Sequence, residues 1–528
     1  MDNNKLAEFC KSKIGIPYVL GTNGKLFTKS MYDDLVRRNP SGWFTAARLP
    51  AVKGYIGQKT TDCHGLVEWF VREQSGQTYD TTADGAFRAA TVKGSIGCIP
   101  ELPGVCVRYK GHVGIYIGGG YVVEARGFDY GVCETKLSAR PWTEWYKHPK
   151  IQYPEGRDNV VTKVKRGMTA AQIQQALDKG GYVLFEKAVY VITKTLRIKG
   201  NTVLNLNGAT LRQGGRIDHI LLTDSDRDTV GYSGMHNVEI YGGTLEGMGK
   251  YGTELNLLTL CHAANVHIHD MVFLDVVGFH HIEINSSSGV KVEDCRFEGY
   301  HSIPGEKDFR ECIQIDHAAE SALVVVPTGS AWYDGTCCEN VVIRGCTFRK
   351  SGARPAPSQC IGNHCQIKGG QHRNIVIENN VFAGGNQGNP SGVCVNLVGM
   401  ENVVVRENEV SEYGRGVRVY SYDKSYTKAG KKIQATGEDG ICRNVLVAKN
   451  RISKPSGTYK SSGVWVSAAN GRHGNVTVRD NLIGESGGMK YAVDVNHCDG
   501  GYVSENQGDG LVKVGNTCDG VILVHVQS

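Results

Sequence analysis

From about residue 200 onward the chain alternates apolar and polar positions in short β-branched runs, each closed by Gly, Asn or Asp. A period of two with such closures predicts strands that turn one face inward. The runs resemble one another. Asn237-Val-Glu-Ile, Asn265-Val-His-Ile, Asn340-Val-Val-Ile, Asn374-Ile-Val-Ile, Asn402-Val-Val-Val, Asn444-Val-Leu-Val and Asn475-Val-Thr-Val each open a unit, and Gly289-Val-Lys-Val fills the same slot. The units return at intervals of 24 to 51 residues, and most continue into a second short strand, as in Glu378-Asn-Asn-Val-Phe382 and Glu407-Asn-Glu-Val410. A unit this small cannot bury its own apolar face, so the pattern predicts a stacked solenoid, a parallel β-helix whose loops absorb the length differences. Ahead of it, Thr169-Ala-Ala-Gln-Ile-Gln-Gln-Ala-Leu177 reads as an amphipathic helix with Thr169 at its N-cap, suited to cover the open end of the solenoid.

The first 155 residues mix helical and strand periodicities, which sets them apart as a separate domain, 1–155, from the solenoid, 156–528. The seam is expected at Tyr153-Pro154-Glu155-Gly156-Arg157, where Pro, Gly and charge coincide. Composition agrees with many tight turns and argues against disorder: Gly is abundant at 68 of 528 residues, and charged residues are an ordinary 21%. A net charge of +6 without a dense basic run speaks against nucleic acid as a partner. No stretch approaches the roughly 18 apolar residues of a membrane span, and the N-terminus has no signal-peptide core. The expectation is therefore a protein made in the cytoplasm, with no membrane insertion. Most of the 17 cysteines, among them Cys261, Cys295, Cys346, Cys394 and Cys442, occupy β-periodic positions suited to a small buried residue. The close pairs Cys337-Cys338 and Cys360 with Cys365 lack a second pair at zinc-site spacing, so no metal site is expected.

Two segments of the first domain carry chemistry. Thr61-Asp62-Cys63-His64-Gly65-Leu66-Val67 is a turn entering a helix whose apolar face is Leu66, Val67 and Phe70. That places Cys63 at a helix N-terminus, where free N–H groups and the helix dipole favour a thiolate and can stabilise an oxyanion. Gly111-His112-Val113-Gly114-Ile115-Tyr116 begins a strand with His, and a hairpin through Gly119-Gly120 brings a second strand bearing Glu124 alongside. Histidine beside a thiol accepts its proton, and a carboxylate on the other ring nitrogen sets the tautomer.

Taken together, Asp62-Cys63-His64-Gly65-Leu66-Val67, Gly111 to Tyr116 and Ile16-Pro17-Tyr18-Val19-Leu20-Gly21 resemble the motifs of the NlpC-type, papain-like peptidoglycan peptidases. The resemblance covers roughly the first 150 residues. It implies an α+β cysteine peptidase domain with Cys63 as nucleophile, His112 as general base and later acid, Glu124 as third member, and Tyr18, Asp62 and His64 around the substrate. The implied reaction is amide hydrolysis in the wall stem peptide, commonly between D-glutamate and the diamino acid. His64 stands where the family has Ser, and Glu124 where it has a polar His, Asn or Gln. The stretch between Tyr18 and Cys63, including Trp43 and Phe44, is longer than usual and is expected to border the cleft.

The repeat region is similar to the pectate-lyase-like, all-β right-handed parallel β-helix superfamily, which includes polysaccharide lyases, glycoside hydrolases and phage tailspikes. Within it, His281 and Glu283, Glu311 and Asp316, and His364 fall in successive coils as a candidate glycan site. Paired carboxylates can cleave a glycoside, whereas a lyase would want a base and often a Ca²⁺ held by Asp and Glu, the one cofactor this region suggests. Trp332, Tyr333 and Tyr300 are expected to line a sugar-stacking groove. The combined expectation is a wall hydrolase of phage or prophage origin acting on bacterial peptidoglycan, docked through a surface polysaccharide or teichoic acid. Phage tail components, or two further copies in a trimer, are its implied assembly partners. The alternatives are a spike whose β-helix is the main enzyme and a receptor-binding protein with no activity.

Overall fold

The structure is a computed structural model that describes residues 1–524 except 101, 119, 154–160, 224–228, 303–310, 320–333, 365–368, 385–391, 422–439, 454–461, 485–490 and 509–510. Chain contacts divide it into two units, Met1–Val160 and Val161–Ser528. The expected linker at 154–157, the aromatic residues Trp332 and Tyr333, and Cys365 lie outside the described residues.

In the first unit, α1 (Asn3–Lys11) and α4 (Gly65–Ser75) pack on one face of an antiparallel sheet. The sheet comprises β3 (Lys93–Ser95), β4 (Cys106–Tyr109), β5 (His112–Gly118), β6 (Tyr121–Gly127), β7 (Gly131–Lys136) and β8 (Glu144–Tyr146), in the order β3-β8-β4-β5-β6-β7. Alternation along β5 sends Val113, Ile115 and Ile117 towards the helices. Tyr116 goes to the other face, where Val105, Val107, Trp142 and Trp145 cover it. Before α4 the chain forms β1 (Asn23–Leu26), α2 (Lys29–Arg38), α3 (Leu49–Gly54) and β2 (Lys59–Thr61), which close a small core of their own around Val19, Phe27, Leu35, Phe44 and Val52. After α4, α5 (Ala83–Ala89) leads into β3.

The second unit opens with a short strand, Thr162–Val164, followed by α6 (Ala170–Leu177). Thr169 and Gln172 form a reciprocal capping box at its start, and Ala170, Ile173, Ala176 and Leu177 join the core of the solenoid. Among the described residues the strands of this unit sort into three parallel sheets of 13, 11 and 11 strands, in which neighbours are three strands apart in sequence except at the edge strand Thr162–Val164, which pairs with the next strand, Gly181–Phe185. Every coil thus gives one strand to each sheet. The register aligns like with like: Val238, Val266 and Val290 stack inward, as do Ile240, Ile268 and Val292. Phe273, Phe297, Phe348 and Phe382 form a continuous ring stack, with centroids 5.0, 4.6 and 4.6 Å apart.

Asparagine performs two structural tasks here. The residue that opens each repeated unit, from Asn237 to Asn475, adopts a left-handed backbone. Its amide bonds to its counterpart one coil away, as from Asn265 to Asn237 at 2.8 Å and from Asn475 to Asn444 at 3.0 Å. Asn tolerates this conformation, and Gly289, with φ of 67°, meets the same need in the one unit lacking Asn. A second, buried ladder runs through Asn380, Asn408, Asn450, Asn481 and Asn506. Each of these side chains also donates to a backbone carbonyl, Ile343 O for Asn380 and Ile377 O for Asn408, both at 3.0 Å. In the coils before Asn380 the same slot holds Cys295 and Cys346, whose thiols reach the carbonyls of Ile268 and Val292 at 3.8 and 3.6 Å. These cysteines imitate the amide with a weaker donor.

Candidate functional site

Cys63 precedes α4, and two features hold it there. Asp62 clamps the turn, its Oδ1 accepting the N–H of Gly65 at 2.7 Å and its Oδ2 that of Gly21 at 2.8 Å. Only Gly fits at position 65, because a Cβ would fall 2.0 Å from the carbonyl oxygen of Thr22. The thiol lies against the backbone N–H of Val113, the residue after His112. Burial pushes this thiol up to about 12, with the Asp62 carboxylate adding to the effect, and the N–H groups of Val113, His64 and Cys63 only partly offset it. Burial of the thiol thus works against the thiolate that the helix start favours.

His112 and Glu124 stand on neighbouring strands, β5 and β6, with His112 Nε2 donating to Glu124 Oε2 at 2.7 Å. The carboxylate is fully buried and triply held: Arg140 Nε and Thr135 Oγ1 donate to Oε1 at 2.9 and 2.8 Å, and Arg140 Nη2 reaches Oε2 at 3.2 Å. Burial alone would raise its pKa, but His112, Arg140 and Thr135 together hold it below the usual range. Trp142 stacks on the His112 ring at 5.6 Å and 11°, and the bare Cα of Gly114 makes room for it. Tyr109 touches the same ring at 5.1 Å. The histidine is therefore fixed in orientation, with Nδ1 as the nitrogen free of Glu124. Tyr109, just ahead of Gly111-His112, and Thr135, Arg140 and Trp142, further along the chain, escaped the sequence reading because they belong to no motif of their own.

Tyr18 is buried against Trp43, with ring centroids at 5.8 Å, and its hydroxyl is pushed up by burial, then by Cys63 and Asp62 nearby. Trp43 thus borders the site, whereas Phe44 belongs to the small core. Asp62 and His64, expected around the substrate, serve the protein instead. Both oxygens of Asp62 are used on backbone N–H groups. His64 is buried, with its Nδ1 donating to Glu68 Oε1 at 3.1 Å, and it packs between Tyr79 and His148. Beside Tyr109 lies a cleft of about 600 Å³ lined by Asp84, Phe87, Arg88, Arg108, Lys110, Thr143 and Glu144.

In the β-helix the structure gathers Glu311, Asp316 and His364, with His364 Nδ1 at 3.8 Å from Glu311 Oε2 and 3.6 Å from Asp316 Oδ2. Both carboxylates are buried, and His364 is the partly exposed member. Burial works to raise Glu311, but His364 and His280 hold it below its usual range. Glu283 is spent on Asn256 and Thr259 at 2.7 and 2.9 Å. His281 does not join the group: it faces the core, donates to Gly299 O at 3.1 Å and accepts from the Cys312 thiol at 3.0 Å. Tyr300, expected in a surface groove, is likewise a core residue. Next to Asp316, His317 and His372 complete a buried trio whose polar atoms are close enough for a metal ion. However, His372 Nδ1 accepts the N–H of Cys338 at 2.9 Å, so its proton sits on Nε2 and no lone pair faces the trio.

No family model matches the chain. The plasmin and fibronectin-binding protein A of Streptococcus pneumoniae (strain ATCC BAA-255 / R6) is 26% identical over 348 residues, 59% of this chain and 47% of that protein. The chain spans about half the length of this curated relative. Among solved structures, PfbA, a surface adhesin of Streptococcus pneumoniae, superposes with a TM-score of 0.53 at 20% identity, over 66% of this chain and 90% of the adhesin. A second structure of the same adhesin gives 0.50 at 20% identity, over 69% of this chain and all of the other. Together with the three parallel sheets, this likeness shows a right-handed parallel β-helix.

Proposed function

We propose that the protein works at a bacterial surface, with the β-helix making the contact and the first unit carrying a papain-like cysteine hydrolase centre of Cys63, His112 and Glu124. The observation that carries the hydrolase reading is the 2.7 Å bond from His112 to a Glu124 carboxylate locked by Arg140 and Thr135, beside a thiol at a helix start. A neutral thiol needs a base. In this reading His112 takes the Cys63 proton through Nδ1 as sulfur attacks a peptide carbonyl, and Glu124 stabilises the imidazolium. Backbone N–H groups at the start of α4 then turn from the sulfur to the developing oxyanion in this reading. The C–N bond then breaks and the amine leaves with the proton from His112; water, activated by the same base, then attacks the acyl-thioester, the C–S bond breaks, and the acyl group leaves as a carboxylic acid while His112 returns the proton to the Cys63 sulfur. The Cys63 sulfur and His112 imidazole are not hydrogen-bonded to each other at rest, and such contacts tighten with substrate bound. The substrate class, a D-glutamyl to diamino acid bond of peptidoglycan, rests on the motif resemblance.

The comparisons speak for the β-helix as the working part at a surface and carry nothing for peptide cleavage. The relative is named for binding plasmin and fibronectin and its structure is that of an adhesin. A second reading, glycan cleavage by the β-helix, is favoured by the convergence of Glu311, Asp316 and His364.

Digestion of purified sacculi and of extracted surface glycan by the whole protein, by Cys63→Ala and by Glu311→Gln/Asp316→Asn separates these readings. New stem-peptide termini lost in Cys63→Ala support the hydrolase. Sugar ends lost only in the double variant move the chemistry to the β-helix, and binding without any product leaves an adhesin.

A further inference from the structure

The strand Arg415–Ser421 belongs to the 11-stranded sheet that carries Glu311. Val417 and Val419 turn into the core, whereas Arg415, Arg418 and Tyr420 are partly exposed on the outer face. One coil on, Trp465 lies opposite Arg418; the guanidinium of Arg415 sits over its ring at 4.5 Å, and Tyr420 stacks with it at 5.4 Å and 21°. The aromatic pair fixes where the cation sits. Glu311 occupies the same row of the sheet as Arg415, three coils earlier and about 14 Å away at about 4.8 Å per coil.

The charge at this corner is not balanced. Arg418 Nε donates to the neutral amide of Asn396 at 2.7 Å, and among the described residues neither arginine pairs with a carboxylate. Asp494, the carboxylate opposite Trp465 in the next coil, is held by Lys513 at 3.4 Å and by the Asn496 amide at 2.8 Å. Burial, and then Arg418, push the Arg415 guanidinium down to about 10, and Asp494 only partly offsets this. Two polar groups are also left over: the buried Nε of Arg415 and the buried hydroxyl of Ser462, its register partner one coil on, have no hydrogen-bond partner. Such groups are costly, and native folds keep few of them.

We propose that Arg415 and Arg418 bind an oxyanion of a surface glycan, a uronate carboxylate or a phosphodiester. A guanidinium fork is the planar donor set that such groups match, and Trp465 holds one fork in place. The anion supplies the counter-charge that the sheet itself does not, so binding weakens as salt screens the pair. This site deepens the surface-contact reading and rests on it for the source of the glycan. It needs neither Cys63 nor cleavage by Glu311 and Asp316.

The test titrates the full chain by calorimetry with a galacturonate oligosaccharide, with poly(glycerol phosphate) and with uncharged dextran. The expected result is binding of a charged polymer and not of dextran, weakened about 10–100-fold in Arg415→Gln and in Arg418→Gln. Arg451→Gln, the same loss of charge on the other 11-stranded sheet, binds like the unchanged chain. Binding of galacturonate alone, of the phosphate polymer alone or of both identifies the oxyanion. Arg415→Lys, which keeps the charge without the fork, serves if a glutamine variant fails to fold, and it too weakens binding. Failure of both charged polymers to bind, full binding by Arg415→Gln, or an equal loss in Arg451→Gln overturns the site. Attachment to whole bacteria that persists undiminished without both arginines ends this proposal and spares the surface reading; polymer binding without attachment to bacteria supports the site and ends that reading.

Discussion

Replacing Asn408 by Ala removes four hydrogen bonds from one coil of the buried ladder. Asn408 Oδ1 accepts both the backbone N–H and the Nδ2–H of Asn380 at 3.0 Å, while its Nδ2 donates to Ile377 O at 3.0 Å and Asn450 Oδ1 at 2.9 Å. The Nδ2 of Asn380 keeps Ile343 O, and Asn450 Oδ1 keeps the N–H of Asn408. The backbone N–H of Asn380 and the carbonyl of Ile377 each lose a partner in a site closed to water. At about 1–3 kcal/mol for each stranded group, the cost is about 4 kcal/mol. The control is Asn402→Gly in the outer ladder. It also loses two side-chain bonds, at 3.2 and 3.1 Å, but they are exposed and Gly accepts the φ of 55°, so the change stays within about 1 kcal/mol. Because a solenoid opens locally, hydrogen exchange of the 375–410 peptides, read by mass spectrometry, is the appropriate assay. Asn408→Ala should speed their exchange by about a thousandfold, since every 1.4 kcal/mol is tenfold. Equal effects in the two variants would refute the argument that burial decides what an amide ladder contributes.

Phe297 is fully buried between Phe273 and Phe348, so Phe297→Ala should cost about 3–5 kcal/mol in guanidinium unfolding and Phe297→Leu under about 1.5 kcal/mol. With its thiol pushed up to about 12, Cys63 should react with iodoacetamide about a thousandfold more slowly at pH 7 than an ordinary thiol, by peptide mapping; rapid labelling would show a resting ion pair instead. Burial lowers His219 and His281 to about 3 and His473 to about 4. The unfolded chain, with these groups near 6.5, then takes up protons that the folded one refuses. Stability of the β-helix is full above about pH 6.5 and falls as pH drops below it, by about 2 kcal/mol per histidine at pH 5. A thermal midpoint unchanged between pH 7 and 5 would contradict this.

The solenoid was legible because one coil repeats the same problem many times. A left-handed corner selects Asn or Gly, and inward positions select Val, Ile and Phe, so the recurring Asn-Val-x-Ile phrase exposes both. The inner asparagine slot was not, since Asn380 and Asn408 look like ordinary turn residues until the register stacks them. In the first unit the hairpin placed His112 beside Glu124 from local sequence alone. What it could not show is which polar side chains the fold spends on itself. The clamp by Asp62, the burial of His64 and the Arg140 lock on Glu124 depend on packing between distant segments. His281 differs from its neighbour Glu283 by which side of the coil it faces, and the bend ahead of the strand Ile282–Asn285 decides that.

The ladder has a mechanical consequence. Strands in this unit run across the axis, so the hydrogen bonds between coils lie along it, and a pull on the two ends loads the interfaces in series. A chain of links in series fails at its weakest member, whatever the number of links. From Cys346 and Asn380 to Asn506 each interface gains the bonds of an inner amide, whereas among the described residues the interfaces that Cys295 and Cys346 make with the preceding coils have long thiol contacts at that corner. Under tension the rod should part in its earlier coils and leave the later ones wound.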